Sequence, residues 1–293
     1  MQIIRAQSLG MCFGVRDAIA LAVREAGVRP LTILGDLVHN DTVLEALRGK
    51  GIAIAQDLSR VRTGAVMITA HGASERDLAR ARALGHDLVE ATCPLVHVAH
   101  KAVRALVRDG YHPVIVGRRD HVEVRGLVGD LDAFDVVLDE ADVDRLPEHP
   151  RLGVAAQTTQ PVDRVRRIVA RIARRFPASH VRFIDTVCRP TKDRQAAARD
   201  LARQSDVVVV VGGAASNNTR ELVATCLQAC ARVHHVQDET ALRSEWFLDA
   251  AVVGLTAGTS TPDEVVDRVE RGIREMAAAG VPSPVQAAAG SAR

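Results

Sequence analysis

The sequence predicts an α/β fold of three repeated units, each with a small and mainly parallel sheet, around a pseudo-threefold axis with a central cavity. Three observations lead to this prediction. Three cysteines each stand between a strand-like and a helix-like segment, a glycine-terminated apolar strand follows each one, and a strand ending in a small polar loop completes each unit. Strands that alternate with helices favour parallel sheets with right-handed crossovers.

The cysteine element opens each unit. Cys12, Cys93 and Cys188 each precede a stretch with apolar residues at three- and four-residue spacing, which predicts a helix. The strands LTILG, PVIVG and VVVVVG follow, and their glycines stand 23, 24 and 24 residues after the cysteine. Four residues beyond each glycine comes a polar side chain, namely His39, His121 or Ser216.

The last element is a strand, a polar loop and a helix start, in VMITAHGASERDL, LGVAAQTTQPVDRV and VVGLTAGTSTPDEV. These loops carry His71, Thr158 with Thr159, and Ser260. Functional groups in such units gather at the carboxyl ends of parallel strands, so we expect the polar loops and the cysteines to converge. The predicted boundaries are 1–93, 94–187 and 188–276, with a flexible tail over 277–293, and the first strand is a candidate member of the third unit.

Composition narrows the function classes. The chain is 47% hydrophobic and 25% charged, as in ordinary globular proteins. Its net charge of +2 and aromatic content of 2% argue against a nucleic-acid surface. No stretch approaches the roughly 20 apolar residues that span a bilayer. We therefore expect a cytoplasmic protein with no membrane or nucleic-acid partner, in which cysteines are thiols or ligands rather than disulfides.

Three convergent cysteines indicate a metal cofactor. Structural zinc sites usually have four ligands, often in C-x-x-C pairs, and no such pair occurs. A three-thiolate site without a fourth ligand suits one cubane 4Fe–4S cluster with one open iron. Cys226 and Cys230 have no counterparts in the other units, and we expect both on the buried face of one helix.

The remaining polar residues suit an anionic substrate. The imidazoles can donate to anionic oxygens, more strongly if protonated, and the segment ASNNTRE adds neutral donors at a helix start. The set suits a diphosphate without magnesium and comprises His39, His71, His121, Ser216, Asn217, Asn218 and Ser260. Glu123 becomes a proton donor if burial raises its pKa; the alternative is a surface carboxylate paired with arginine. Thr158 either assists at a substrate hydroxyl or caps a helix.

The segments GMCFGV, VHN, AHG, ATCP, HVE, QTT, ASNN and AGTSTPD, between about residues 3 and 273, resemble the LytB-type 4-hydroxy-3-methylbut-2-enyl diphosphate reductase family. The resemblance implies a three-lobed α/β iron–sulfur oxidoreductase of the last step of the non-mevalonate isoprenoid pathway. Its products would be isopentenyl and dimethylallyl diphosphate, and its electron donor a ferredoxin or flavodoxin. By position it implies cluster ligation by Cys12, Cys93 and Cys188, diphosphate binding by the seven donors above, and catalysis by Glu123 and Thr158.

Some positions depart from the family pattern. Arg118 stands where a histidine is usual, and Arg125 stands before Gly126 where a glutamate is usual. Asn217 replaces a second serine, and Arg189 with Pro190 precedes Thr191, where many members have a small residue. Two alternatives therefore stay open: a divergent cluster-dependent reductase of another allylic diphosphate, and a non-catalytic iron–sulfur redox sensor. A zinc hydrolase with three cysteines lacks a matching catalytic pattern.

Overall fold

A computed structural model describes residues 1–279 of the chain. The strands are β1 (Gln2–Arg5), β2 (Leu31–Leu34), β3 (Ala53–Ala55), β4 (Ala65–Ile68), β5 (Asp87–Glu90), β6 (His112–Val116), β7 (Asp135–Val137), β8 (Arg151–Ala156), β9 (His180–Phe183), β10 (Val207–Val211), β11 (Val233–Val236) and β12 (Val252–Ala257). The α-helices are α1 (Phe13–Ala26), α2 (Asp41–Gly49), α3 (Glu75–Ala83), α4 (Pro94–Arg108), α5 (Val122–Val128), α6 (Glu140–Val143), α7 (Val162–Arg175), α8 (Arg189–Arg203), α9 (Asn217–Leu227) and α10 (Asp263–Ala279). Short 3-10 helices cover Leu58–Arg60, Glu239–Ala241 and Ser244–Trp246.

The chain divides into two compact units. The larger unit, Cys12–Lys192, contains two four-stranded parallel sheets with the strand orders β3-β2-β4-β5 and β7-β6-β8-β9. The smaller unit consists of Met1–Met11 and the chain from Asp193 onward. It contains one parallel sheet of the order β1-β12-β10-β11, in which the first strand of the chain pairs with the last.

The central strands are mainly apolar because helices pack on both of their faces. In β6, Val114 and Val116 pack in the same cluster as Ile168 of α7, whereas Ile115 packs in the cluster that contains Val103 of α4. Alternate side chains of a strand point to opposite faces, so two helix layers require two apolar sets. The same alternation explains the unbroken valine run of β10, whose five residues are all buried between α10 on one side and α8 and α9 on the other.

The three-sheet α/β fold with parallel sheets is therefore confirmed. Helix α10 continues to Ala279, so the first residues of the predicted tail are helical, and the remainder of that tail lies outside the described residues. The predicted boundaries near residues 93 and 187 stay predictions. Within residues 1–279, no helix is long and apolar enough to cross a membrane.

Candidate active site

Each of the three cysteines stands immediately before a helix of its own. Cys12 and Cys93 are the N-cap residues of α1 and α4, and neither side chain caps a backbone N–H group. Helix α8 begins directly after Cys188, whose carbonyl accepts from Lys192 N at 3.1 Å. The thiols therefore lie at the positive ends of three helix dipoles, which favours thiolate and anionic ligands.

Backbone hydrogen bonds attach two of these cysteines to the polar loops of the larger unit. The N–H group of Cys93 donates to Ala70 O at 3.1 Å, and the N–H group of Cys188 donates to Thr158 O at 3.0 Å. A close backbone approach brings α1 against Cys93, because a Cβ atom at Gly14 would lie 2.5 Å from the Cys93 sulfur. A side chain at position 14 would therefore displace the thiol.

The thiols share a buried environment with one carboxyl group. Burial raises the pKa of Cys188 to about 11, the Thr191 hydroxyl and amide oppose this, and the charges of Glu123 and Cys12 add to the rise. The Cys188 sulfur donates to Thr191 Oγ1 at 3.1 Å. Burial also raises the pKa of Cys93, with smaller contributions from the same Cys12 and Glu123. These thiols stay protonated at neutral pH until a metal cation displaces their protons.

The donor set has the chemistry of a soft-metal site. Cys12, Cys93 and Cys188 are all free thiols of the larger unit. Thiolates are the ligands that hold iron–sulfur clusters, and three of them fit such a group.

Glu123 is the buried acid of the site, not the surface carboxylate of the alternative interpretation. Its side chain is 1% exposed. The Thr158 N–H group donates to Glu123 Oε1 at 2.6 Å, and the Thr158 hydroxyl donates to Glu123 Oε2 at 3.0 Å. Burial raises the pKa of Glu123 to about 7, although both hydrogen bonds from Thr158 lower it. At neutral pH the carboxyl is thus divided between its acid and base forms, as a proton donor requires. Thr158 contacts this acid rather than only capping a helix.

The three predicted histidines meet in the larger unit. The rings of His39 and His71 stack at 4.7 Å between centroids, and the ring of His121 lies edge-on at 5.1 Å from His39 and 5.5 Å from His71. They follow β2, β4 and β6, so they gather at the carboxyl ends of strands as predicted. His121 is also the N-cap of α5, and its Nδ1 accepts from Glu123 N at 3.1 Å.

His71 and His121 are neutral in the structure. Burial is the main cause that lowers the pKa of His121 to about 3, and the charges of His39 and Arg118 lower it further, while Asp120 opposes them. Burial and the other two histidines hold the pKa of His71 well below its usual value. Each of these two neutral rings therefore offers one N–H donor, whereas a protonated ring would offer two. A bound anion would raise both pKa values.

His100 is a supporting residue that the sequence reasoning missed. It lies seven residues after Cys93 on α4, so the two occupy one face of the helix. Its side chain is 7% exposed, and a Cβ atom at Gly72 would lie 3.3 Å from its Nε2 and 3.0 Å from a methyl group of Thr92. Gly72 has a φ of +74° and follows His71 directly. The imidazole therefore packs beside the loop that carries His71, and its helical spacing from Cys93 was the available signal.

Thr186 is a second missed residue. Its hydroxyl donates to Ala156 O at 2.6 Å and accepts from Ala156 N at 2.8 Å, so it completes the end of β8 just before Thr158. It lies two residues before Cys188. One buried hydroxyl thus joins the segment before Thr158 to the segment before Cys188. Nothing in the spacing of the sequence indicated this contact, because it joins residues 30 apart.

The smaller unit contains the hydroxyl and amide donors. Ser216 is the N-cap of α9, and its Oγ accepts from Thr219 N at 3.3 Å. Asn217, Asn218 and Ser260 are each at most 5% exposed. The Nδ2 of Asn218 is buried and has no hydrogen-bond partner within the described chain. An unmade bond of this kind costs about 1–3 kcal/mol, so a donor left open suits a ligand that supplies the acceptor.

The structure corrects one expectation about the other cysteines. Cys226 lies in α9 and is fully buried, as expected, and its Sγ donates to Ala198 O at 3.7 Å. Cys230 is also buried, but α9 ends at Leu227, so Cys230 lies beyond the helix in the turn towards β11. The chain has to leave the helix there because β11 begins only a few residues later. Both thiols belong to the core of the smaller unit.

The arginines that depart from the family pattern have their own partners or face solvent. Arg118 Nη2 donates to Asp120 Oδ2 at 2.9 Å, which offsets its charge. Arg125 is exposed on α5. Both lower the pKa of His121 less than burial does. Neither arginine replaces His39, His71 or His121.

A comparison with protein families matches residues 3–274 to the LytB protein family. A curated relative from Pelobacter propionicus, named 4-hydroxy-3-methylbut-2-enyl diphosphate reductase, is 37% identical over 94% of this chain and 99% of its own length. A relative of the same name from Trichlorobacter lovleyi is 38% identical over 92% of this chain and 96% of its own length.

Two solved structures resemble the chain as well. The E-1-hydroxy-2-methyl-but-2-enyl-4-diphosphate reductase of Plasmodium falciparum has a TM-score of 0.88 and 26% identity, covering 92% of this chain and 87% of the other. An (E)-4-hydroxy-3-methyl-but-2-enyl diphosphate reductase, described as the terminal enzyme of the non-mevalonate pathway, has a TM-score of 0.68 and 33% identity. It covers 94% of this chain and 99% of its own.

Proposed function

This chain belongs to the LytB family, and on that premise we propose that it reduces 4-hydroxy-3-methylbut-2-enyl diphosphate to isopentenyl diphosphate and dimethylallyl diphosphate. The reaction breaks the allylic carbon–oxygen bond, consumes two electrons and two protons, and releases water. The observation that carries the proposal is the buried pair of Glu123 and Thr158 in a unit that also contains the three partly buried thiols of Cys12, Cys93 and Cys188.

We propose Cys12, Cys93 and Cys188 as the ligands of one 4Fe–4S cluster with one open iron. The positions of the three thiols at three helix starts support this assignment. When bound, the cluster would pass electrons to the substrate from a one-electron donor, for which a ferredoxin or flavodoxin is our candidate. A cytoplasmic location stays a prediction of the sequence.

Glu123 is the proposed proton donor for the departing hydroxyl group. An acid is useful only if it is protonated at working pH, and burial raises the pKa of Glu123 to about 7. The Thr158 N–H group and hydroxyl each donate to one carboxyl oxygen, which holds the carboxyl group in one orientation. The same hydroxyl can turn to the substrate alcohol once that alcohol takes its place beside the acid.

His39, His71 and His121 are the proposed diphosphate ligands of the larger unit. The three imidazole rings lie with their centroids 4.7, 5.1 and 5.5 Å apart, and His71 and His121 are neutral, so these two present N–H donors without mutual charge repulsion. A diphosphate would supply the negative charge that raises their pKa values, so binding would take up protons. For Ser216, Asn217, Asn218 and Ser260 we propose the same ligand, on the family resemblance and on the buried, unpaired Asn218 amide.

The test is an anaerobic preparation followed by metal analysis and turnover. We expect about four irons and four sulfides per chain, a brown protein, and oxidation of reduced methyl viologen that depends on the hydroxylated allylic diphosphate. Cys93→Ser should lose iron and turnover. Cys226→Ser is the control because it removes a thiol in the core of the other unit, and it should keep both.

The alternatives give different results in the same experiment. A full complement of iron without turnover of any allylic diphosphate would indicate the redox sensor. Turnover of another hydroxylated allylic diphosphate at more than ten times the kcat/KM would indicate the divergent reductase. A colourless, zinc-containing protein would overturn the proposal.

A further inference from the structure

A second group of metal-ligating side chains lies at the opposite end of the sheet that carries Glu123. His112 is the first residue of β6, Asp135 is the first residue of β7, and His149 lies two residues before β8. His121 and Thr158 follow the other ends of β6 and β8. The five residues of β6 span about 16 Å, so the two groups are separate.

The three side chains form a compact set. Each offers one ligand atom, and these atoms lie within 4.8 Å of one another. His112 Nε2 and Asp135 Oδ2 are 2.8 Å apart, and the rings of His112 and His149 stack with centroids 3.7 Å apart and planes 5° apart. Three neighbouring parallel strands bring them together at the amino-terminal end of the sheet, since β6 lies between β7 and β8.

One atom of the group points to a ligand that it lacks. The Nε2 of His149 is buried, and it has no hydrogen-bond partner among residues 1–279. A buried imidazole nitrogen without a partner is destabilising, so a ligand that engages it is favoured. Tyr111 and His180 lie at the same end of the sheet. The Tyr111 hydroxyl and His180 Nδ1 pair at 2.9 Å.

We propose that His112, Asp135 and His149 bind a divalent transition-metal ion of the zinc class, separate from the iron–sulfur site. Two imidazoles and one carboxylate are a recurrent ligand set for Zn²⁺ and Fe²⁺. Bonds of about 2.1 Å place neighbouring ligand atoms about 3.0–3.4 Å apart. The present separation of 2.8 Å between His112 Nε2 and Asp135 Oδ2 needs only a few tenths of an ångström of widening when the metal replaces their shared proton.

Binding requires one ring to turn. Parallel stacked imidazoles direct their nitrogen lone pairs side by side, so one ion can reach both only after the stack opens. His149 is the residue that turns, because it lies in the connection before β8 and its Nε2 gives up no hydrogen bond. The ion would then tie the short edge strand β7 and the start of β8 to β6, and water would complete its coordination.

The test measures Zn²⁺ bound to the cluster-loaded protein by equilibrium dialysis and metal analysis at pH 7.5. Loading keeps the three cysteines occupied, and a constant iron content shows that zinc has not displaced the cluster. We expect one zinc per chain, and an affinity at least about tenfold weaker in His149→Ala and in Asp135→Asn. His180→Gln, at the same end of the sheet, is the matched control and should bind zinc like the wild type.

His121→Ala separates this site from the histidine group of the proposed diphosphate site. Zinc binding that survives His121→Ala but not His149→Ala supports the proposal. Zinc binding that is lost in His121→Ala and kept in His149→Ala, or no zinc bound at 100 µM (on the order of the affinity of a weak site), overturns it. Turnover should stay unchanged in His149→Ala, so this result is independent of the proposed reductase activity.

Discussion

Glu123→Gln removes the buried acid of the larger unit while keeping its size and both contacts with Thr158. The amide oxygen can accept the Thr158 N–H group, and the amide nitrogen can donate to the hydroxyl, as a protonated carboxyl does. The variant therefore mimics the neutral acid at every pH. Any difference in stability or rate between this variant and the wild type therefore reports the ionisation of the Glu123 carboxyl.

The expected change in the free energy of unfolding follows from the pKa of Glu123. Burial raises it from 4.5 to about 7, a shift of about 2.5 units, and each unit corresponds to about 1.4 kcal/mol. Because the folded state holds this proton more tightly than the unfolded state, stability declines as pH rises from about 4.5 to 7. Above pH 7 the ionised wild type bears a cost of about 3 kcal/mol that the Gln variant does not.

The stability assay is chemical unfolding of both cluster-loaded proteins, followed by circular dichroism, at several pH values from 5 to 8.5. We expect the difference in unfolding free energy to move in favour of Glu123→Gln by up to about 3 kcal/mol as pH rises. A difference that stays constant over this range would refute the assignment of a raised pKa to this carboxyl.

The activity assay tests the role of the same proton. Glu123→Gln should lower kcat about 10²- to 10⁴-fold with its iron content unchanged, because it has no acidic proton to deliver. Wild-type kcat should decline as pH rises through about 7, where the carboxyl loses its proton. Turnover of the variant within threefold of the wild type, or a wild-type rate that climbs across pH 7, would refute the reasoning.

Three further substitutions test the geometry of the site. Thr158→Val deletes one hydrogen bond to the carboxylate of Glu123, so the pH at which kcat declines should move upward while iron is retained; an unchanged pH profile would contradict this. Gly14→Ala would place a Cβ atom 2.5 Å from the Cys93 sulfur and should reduce the iron content, whereas Gly49→Ala, which has open space, should not; equal iron in both would be the opposing result. Gly72→Ala combines a φ of +74° with contacts at 3.0 and 3.3 Å and should raise KM more than Gly51→Ala, which has a φ of +77° in open space; similar KM values would show that the contacts do not matter.

Local patterns were enough to predict the elements of the fold. The valine run of β10, the glycine that ends each central strand, and the apolar spacing after each cysteine concern residues close in the chain. Such signals depend on periodicity and on conformational preference, which act over a few residues. The expected burial of Cys226 on a helix was right for this reason, whereas the end of α9 before Cys230 depended on where the next strand had to begin.

The sequence by itself determined that each cysteine opens a helix beside a parallel sheet, and which strands end in polar loops. Only the tertiary structure decided the chemical state of those groups. Burial raises the pKa of Glu123 to about 7 and keeps His71 and His121 neutral. Many residues distant in the chain exclude water from these groups, and no short pattern encodes that exclusion. The contacts of Thr186 with Ala156, and of His112 with Asp135 and His149, likewise join residues that are close only after the sheet has formed.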